Sequence, residues 1–305
     1  MKILVTGATG LVGTALVAAL ARDGHMVCRL VRPKTKTEGG APGTFDVAWN
    51  PETGELGGAA VGAEAVINLA GASIADGRWT ATRKRLLRSS RVDSTRALVT
   101  ALGKMNAKPD VFVSASAIGY YGNRGDEVLT EESARGDSLL AGICKEWEAE
   151  ALQAEEFRTR VVLARFGIVL SKDGGALPKM MLPFKLGLGG RIGSGEQWMS
   201  WIALADVVEI LQFSLSNREL RGPVNVVAPQ PVRNAEFTKT LASGLHRPAL
   251  VPAPAFALRL AMGEMADALL LSSQRVVPER LTKAGYGFLN PDLTQSLLSI
   301  LGTSR

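Results

Sequence analysis

Three glycines near the amino terminus stand at a spacing that would let the main chain approach a phosphate group. They lie in the run TGATGLVG at residues 6–13, after a short apolar run and before apolar residues at helical spacing. A strand, a glycine-rich turn and a helix in this order are the context of a dinucleotide-binding fingerprint. The first glycine permits the tight turn, the second admits a pyrophosphate, and the third lets the helix pack on the strand. The predicted contacts with the dinucleotide are those of Gly7, Thr9, Gly10, Leu11, Val12 and Gly13. The alternative is an ordinary strand–turn–helix corner.

The end of the second predicted strand, residues 26–31, bears on the choice of cofactor. Folds that bind NAD usually place a carboxylate there to hold the ribose 2′-hydroxyl. Here Val31 is followed by Arg32, with Lys34 and Lys36 close behind, and the strand end has no carboxylate. A guanidinium can bind a 2′-phosphate through paired, charge-assisted hydrogen bonds. The pattern therefore predicts NADP rather than NAD, with a solvated basic loop as the alternative.

Two later strands end in residues suited to ligand contact. The predicted strand 65–69 runs into Leu69, Ala70 and Gly71, and the strand 111–116 ends at Ser116, shortly before Tyr120 and Tyr121. Doubly wound sheets bind ligands at the carboxyl ends of their strands. We therefore expect the first group to lie beside the adenosine of the cofactor, and the hydroxyl groups to face a ligand. Turn residues beside a packed tyrosine are the alternative.

Residues 78–91 contain six basic residues and no acidic one. The spacing of leucines predicts one helix over about 80–103, with Arg91 on its inward side, facing the cofactor. We expect the other cations to be solvated. Neither interleaved aromatic residues nor a known motif accompanies the charge, which argues against nucleic-acid binding.

The order of elements predicts an α/β fold with a doubly wound parallel sheet, the Rossmann arrangement, and a smaller interleaved substrate region. We expect residues 1–170, completed by about 201–228, to form the cofactor-binding domain. Residues 171–200 and 229–305 then form the substrate-side region, and the glycine-rich stretch 174–195 is a candidate substrate cover. The later predicted helices cover residues 139–157, 201–213, 234–243, 254–262 and 293–301.

Composition limits the classes of protein that remain. The chain has 305 residues, is 46% hydrophobic and carries a net charge of +6, which suits an anionic ligand. No apolar run approaches the roughly 20 residues that span a bilayer, and a strand beginning at residue 2 leaves no room for a signal peptide. Cys28 and Cys144 are the only cysteines, which favours a reducing cytoplasm. His25 and His246 are far apart, so we expect no metal site. The oligomeric state stays open.

Together these stretches resemble the extended short-chain dehydrogenase/reductases, and more closely their atypical branch, the nucleoside-diphosphate-sugar epimerase-like epimerase family. The stretches that carry the resemblance are TGATGLVG, INLAG, SRVDSTR, SASAIGYYG, GSGEQWMSWIALADVVEIL and QRVVPERLTKAGYGF. The resemblance implies a Rossmann domain with a small C-terminal domain from about Pro248. It implies that Ser116 stands where the family has its catalytic serine, and Arg91 where ordinary members have a cofactor-facing asparagine.

The chain departs from the family at its Tyr-x-x-x-Lys pair. Lys145 matches the lysine, but the residue four places earlier is Ala141, which cannot exchange a proton as a phenol does. Two hypotheses follow. In the first, an NADP-dependent oxidoreductase or epimerase acts on a small, sugar-like substrate, with Ser116, Lys145 and Tyr121 or Tyr120 at the reacting carbonyl. In the second, the protein is a non-catalytic NADP(H)-binding sensor or interaction protein.

Overall fold

The computed structural model describes residues 1–33 and 42–302. Lys34, Lys36 and residues 39–41 of the turn predicted at 39–43 lie outside these ranges. The strands are β1 (Lys2–Thr6), β2 (Met26–Val31), β3 (Thr44–Asn50), β4 (Glu55–Leu56), β5 (Ala65–Asn68), β6 (Val111–Ala117), β7 (Val128–Leu129), β8 (Arg160–Phe166), β9 (Ile168–Leu170), β10 (Trp198–Met199), β11 (Trp201–Ala203), β12 (Gly222–Val226), β13 (Val232–Arg233) and β14 (Arg275–Val276). The helices are α1 (Leu11–Arg22), α2 (Ala81–Ser89), α3 (Val92–Gly103), α4 (Leu139–Leu152), α5 (Ala176–Lys185), α6 (Leu204–Ser216), α7 (Asn234–Gly244), α8 (Ala255–Met262), α9 (Glu264–Ala266), α10 (Glu279–Lys283) and α11 (Leu293–Leu301).

Eight of these strands form one sheet in the order β12-β8-β6-β5-β1-β2-β3-β4. Neighbouring strands are parallel, except that the short edge strand β4 runs antiparallel to β3. The strand order reverses at β1, which lies between β2 and β5. In open α/β sheets the crevice at such a reversal receives the ligand. The predicted doubly wound parallel sheet is confirmed.

The central strands are apolar because helices cover both faces of the sheet. On one face α1 and α6 pack through Leu16, Leu20 and Leu211, all of which are fully buried. On the other face α3 contributes Leu98 and Leu102 to a second core. The predicted alternation of strands and helices thus places two hydrophobic layers around the sheet, and its carboxyl edge stays free for a site.

A third core joins the segments outside the sheet. Met181 of α5, Phe237 of α7 and Leu297 of α11 pack around the fully buried Trp201. The carboxylate of Asp206 in α6, also fully buried, accepts hydrogen bonds from the backbone N–H groups of Leu289 and Asn290 at 2.8 and 2.9 Å. The C-terminal segment is therefore attached to the sheet-covering helix α6 by a buried polar contact.

Three predicted helix boundaries are wrong. The helix expected over 80–103 is two helices, and the backbone breaks at Ser90 and Arg91, where Arg91 has φ −110° and ψ −63°. The helix expected from residue 201 begins at Leu204, because residues 201–203 form β11 and pair with β9. The helix α4 ends at Leu152 and continues only as a 3₁₀ turn to Phe157. Within the described ranges, no helix is long and apolar enough to cross a membrane.

Candidate functional site

The glycine turn occupies the carboxyl end of β1, as predicted, and its three glycines have different roles. Gly7 has φ +64°, and a β-carbon there would lie 2.7 Å from the carbonyl of Leu69. A β-carbon at Gly13 would lie 2.1 Å from the carbonyl oxygen of Gly7. Gly10 is exposed, has φ −80°, and a β-carbon there would approach only Gly7, at 3.3 Å. Gly7 and Gly13 are therefore required for packing, and Gly10 leaves space for a ligand.

The amino terminus of α1 opens directly onto this space. Gly10 is its N-cap, and no side chain of the described residues accepts a hydrogen bond from the first turn. The first N–H groups of a helix lack partners within the helix and carry a partial positive charge. Thr9 is exposed, and Leu11 and Val12 are half-buried. The turn can hold an anion by its backbone, as phosphate-binding helix ends do.

A buried hydrogen-bond network positions the neighbouring turn after β5. The hydroxyl of Thr6 donates to Asn68 at 2.6 Å and accepts from the backbone N–H groups of Leu69 and Ala70 at 3.1 and 3.2 Å. Asn68 in turn donates to Thr95 on α3 at 2.8 Å. Leu69 and Ala70 are half-buried beside the glycine turn, which is where the sequence places them. Thr6 and Asn68 were not among the predicted site residues.

The end of β2 carries Val31, half-buried, and Arg32, exposed. Asp46, on the adjacent strand β3, is hydrogen bonded to Arg29 at 2.7 Å and so is committed within the sheet. Arg32 lies just after the carboxyl end of β2, the strand that pairs with β1 and its glycine turn.

The loop after β5, residues 72–79, is held by side chains that donate to four consecutive carbonyl groups. Arg91 donates to Ala72 at 2.9 Å, Arg83 to Ser73, the indole of Trp79 to Ile74 at 2.9 Å, and Lys179 of α5 to Ala75 at 3.2 Å. Gly71, exposed, precedes the loop, and a β-carbon there would lie 3.2 Å from the guanidinium carbon of Arg91. The loop thus lies between the sheet edge and α5, the helix within the predicted cover.

The basic segment differs in part from the expectation. Arg91 lies inward, with its guanidinium 5.4 Å from the ring of Trp147 on α4. Arg83 is half-buried as well, although we expected it among the solvated cations. Lys84 and Arg88 form ion pairs with Glu264 and Glu146, both at 2.5 Å. The basic residues of this segment therefore contact the loop 72–79, α4 and α9, and do not form a single charged surface.

Ser116 lies at the end of β6, as predicted, but its hydroxyl belongs to a buried ion pair. It donates to Glu148 of α4 at 2.6 Å, and Arg165 of β8 binds both carboxylate oxygens of Glu148 at 2.8 Å. Burial alone would lower the pKa of Arg165, but the hydrogen bonds and charge of Glu148 outweigh that effect and raise it. Ser116 is 2% exposed. In this arrangement its proton is already committed within the protein.

Tyr121 lies in the same buried network and has no exposed surface. Its hydroxyl donates to Asn225 at 2.7 Å and accepts from Arg165 at 2.9 Å. Burial raises the pKa of Tyr121 to about 12, against the lowering effect of Arg165. Tyr121 therefore belongs to the buried network in this structure, and its predicted role at the reacting carbonyl stays a prediction. Tyr120 is half-buried and packs its ring 3.6 Å from the guanidinium carbon of Arg165.

Lys145 of α4 is the third of the predicted catalytic residues. It lies on the exposed side of α4, while the preceding residue, Cys144, is buried and its thiol lies 3.8 Å from the carbonyl oxygen of Ala117. Residues one position apart on a helix do not share a face. Residues three positions apart do, so Lys145 lies near the face of Glu148, the partner of Ser116, and its predicted place beside Ser116 stays a prediction. Ala141, one turn earlier, is fully buried.

Sequence reasoning missed Glu148, Arg165 and Asn225, which organise the centre of this region. Each is a polar residue at less than 7% exposure within an apolar element. An arginine at the end of the apolar strand 160–165 was the available signal, since a buried charge requires a partner. Its partner, Glu148, lies 17 residues earlier in the chain, and a separation of that length does not by itself predict a contact.

The family model described as "NAD dependent epimerase/dehydratase family" matches residues 3–227. The chain belongs to this family. A second model, described as a domain of unknown function (DUF1731), matches residues 253–300. Together they confirm the resemblance inferred from the motifs.

Relatives with similar sequences extend over nearly the whole chain. Epimerase family protein ML0860 of Mycobacterium leprae is 41% identical over 296 residues, covering 97% of this chain and 94% of the relative. The chloroplastic SDR39U1 homolog of Arabidopsis thaliana is 40% identical and covers 99% of this chain and 87% of its own. Human epimerase family protein SDR39U1 (isoform 2), whose crystal structure is described as containing NADPH, matches with a TM-score of 0.86, 33% identity and full coverage of both chains.

The buried ion pair predicts a large loss of stability when its carboxylate is removed. Glu148→Gln should lower the free energy of unfolding by about 3–5 kcal/mol, because the charge of Arg165 would remain buried without a counter-charge. Glu150→Gln on the same helix is the control, since its partner Arg96 is 53% exposed and the pair should contribute less than about 1 kcal/mol. Urea unfolding followed by circular dichroism measures both. Equal losses in the two variants would contradict a special role for Glu148.

Proposed function

We propose that the protein binds NADPH and acts as an NADP-dependent oxidoreductase or epimerase on a small, sugar-like substrate. The observation that carries the proposal is the exposed Gly10 turn at the uncapped amino terminus of α1. The family membership and the NADPH in the crystal structure of human SDR39U1 support the same cofactor.

The residues present fit this cofactor. The N–H groups of Leu11, Val12 and Gly13 would bind the pyrophosphate, and Arg32 would bind the 2′-phosphate at the end of β2. Leu69, Ala70 and Gly71 would lie along the adenosine, and Arg91 beside Gly71 would complete the contacts. Such a cofactor supplies or accepts a hydride.

The proposed chemistry needs a proton donor near the end of β6. Ser116 and Tyr121 are engaged in the buried network, and Lys145 is exposed. Tyr120 is the half-buried phenol of this strand end, so we assign it the role of proton donor. The Arg165 guanidinium lies against its ring in a cation–π contact that would hold the phenol in place. Ser116 would act indirectly, because its hydrogen bond to Glu148 would hold the end of β6 in position.

The second candidate is a non-catalytic NADP(H)-binding sensor. The observation that favours it lies on α4, where Ala141 and Cys144 are buried and neither offers a phenol or an amine. A sensor would retain the cofactor contacts and show no turnover with any carbonyl compound.

We also propose the domain boundaries and the location. Residues 1–170 with about 201–228 would form the cofactor domain, and 171–200 with 229–305 the substrate side, a division supported by the separate cores. A cytoplasmic location is supported by the two free, buried cysteines, Cys28 and Cys144.

The geometry of the Gly10 turn predicts a substitution that leaves the fold intact and prevents NADPH from binding. Gly10→Val should fold, because φ −80° suits any residue and a β-carbon meets only one atom at 3.3 Å. Its side chain should nevertheless abolish NADPH binding by filling the space that the pyrophosphate needs. Differential scanning fluorimetry should show that NADPH no longer raises the melting temperature. A full NADPH-dependent shift in this variant would refute the assignment.

Arg32 at the end of β2 predicts that the protein prefers NADPH to NADH. NADPH should bind at least tenfold more tightly than NADH, a difference of about 1.4 kcal/mol, because only NADPH carries the 2′-phosphate. Arg32→Ala should remove most of this difference, whereas Arg22→Ala, exposed at the far end of α1, should leave it intact. Isothermal titration calorimetry with both cofactors checks the prediction. Equal affinity of the unmodified protein for NADPH and NADH would overturn it.

A turnover assay with the variant Tyr120→Phe tests whether the protein is an enzyme or a sensor. A panel of sugar-like carbonyl compounds and nucleotide sugars is incubated with NADPH, with absorbance at 340 nm measuring reduction and chromatography measuring epimerisation. With a productive substrate, Tyr120→Phe should lower kcat by roughly a hundred- to ten-thousandfold, with NADPH affinity unchanged. Bound NADPH with no turnover across the panel would favour the sensor. Turnover that survives in Tyr120→Phe would refute the assignment of the donor.

A further inference from the structure

Two guanidinium groups lie side by side on the loop that follows β5. Arg83 donates to the carbonyl of Ser73, and Arg91 donates to the adjacent carbonyl of Ala72 at 2.9 Å and to Leu87 at 3.1 Å. We propose that Arg83 and Arg91 bind an anionic group, a carboxylate or a phosphate, of the small substrate. This inference rests on the proposed function, since it assigns the charge of the substrate for the same site.

The hydrogen bonds of the two guanidiniums are incomplete. Both bind neutral carbonyl groups, and within residues 1–33 and 42–302 neither forms an ion pair with a carboxylate. The Nε atom of Arg83 is buried and has no hydrogen-bond partner in the described part of the chain. An unpaired buried donor of a charged group is costly, and an anion would satisfy it.

The two cations also oppose each other. Burial lowers the pKa of Arg91, and although the Cys144 thiol raises it, the charge of Arg83 lowers it further. The nearby carboxylate of Asp76 binds Lys179 at 3.0 Å, and that contact, followed by those with Ser73 and Arg83, lowers the pKa of Asp76. Asp76 is exposed. It therefore neutralises the pair only in part, and a bound anion would relieve the repulsion.

The sheet order separates this pair from the cofactor phosphates. The glycine turn lies on β1 and Arg32 on β2, whereas the pair lies on the other side of β1, over β5. Arg91 reaches further, to Trp147 and Cys144 on α4, which covers the end of β6. The pair thus faces the strand end where Ser116 and Tyr120 lie. An anionic group held there would belong to the molecule that reacts, because the proposed site of the 2′-phosphate, at Arg32, lies on the other side of β1.

The test uses the full chain saturated with NADPH, with inorganic phosphate and succinate as separate probes at constant ionic strength. Calorimetry measures the Kd of each probe, and the Kd of NADPH is measured with and without phosphate. Arg83→Gln removes the charge. Arg85→Gln is the matched control, because Arg85 lies on the same helix, is exposed and, among the residues that the structure describes, donates to Thr82 alone, at 3.0 Å. Arg83→Lys keeps the charge and a donor for Ser73 but loses Nε.

At least one probe should bind the NADPH-loaded protein, at least tenfold more weakly in Arg83→Gln, several-fold more weakly in Arg83→Lys, and within twofold of the parent in Arg85→Gln. If Arg83→Gln fails to fold, the weakening in Arg83→Lys decides. Equal weakening in Arg85→Gln would indicate diffuse charge and overturn the proposal. So would a lack of binding by both probes, or phosphate that only competes with NADPH. A protein that binds no NADPH would instead refute the proposed function.

Discussion

The ion pair between Arg165 and Glu148 is the interaction on which the centre of the molecule depends. Both side chains are less than 8% exposed, and each comes from a different layer, β8 in the sheet and α4 on its face. Removing two charges from water costs several kcal/mol each, and mutual attraction offsets that cost only when further hydrogen bonds complete the pair. Ser116 and Tyr121 supply those bonds, and Asn225 on β12 extends the network across the sheet.

This requirement explains why residues typical of a reactive centre are not presented to a ligand. A serine and a tyrosine at the end of β6 have hydroxyl groups suited to polarise a carbonyl, and here the buried charges use both. The polar groups that remain at the same edge are those of Tyr120, of Arg83 in α2 and of Arg91 between α2 and α3. On the proposed function, the chemistry would therefore depend on these groups beside the loop that follows β5 rather than on the inner face of α4.

Local signals predicted much of the fold. The glycine turn, the apolar strands and the parallel sheet follow from short-range pattern, and the α11 boundary at residues 293–301 agrees with the structure. The break at Arg91 was missed because leucine spacing continues across it. At the break, the Ser90 hydroxyl accepts from the N–H of Ala72 and the Arg91 guanidinium donates to the carbonyl of Ala72, contacts that sequence spacing does not show. The orientation of Lys145 could not be predicted, because a four-residue spacing alone does not tell which residues of a helix face inward. Cys144 and Lys145 differ by one position, about 100° around the helix, and one is buried while the other is exposed.

The distribution of positive charge connects the fold to the choice between an enzyme and a sensor. A sensor needs cations only where the cofactor has phosphates, along β1 and β2. Arg91 is also among the proposed cofactor contacts, but Arg83 adds a second half-buried guanidinium over β5, and the repulsion between the two lowers stability. A second, anionic ligand at the end of β6 would relieve it and would stand next to the site of hydride transfer. The physical cost of keeping Arg83 and Arg91 together thus favours a protein that binds two ligands at once, which is the requirement for a reaction between them.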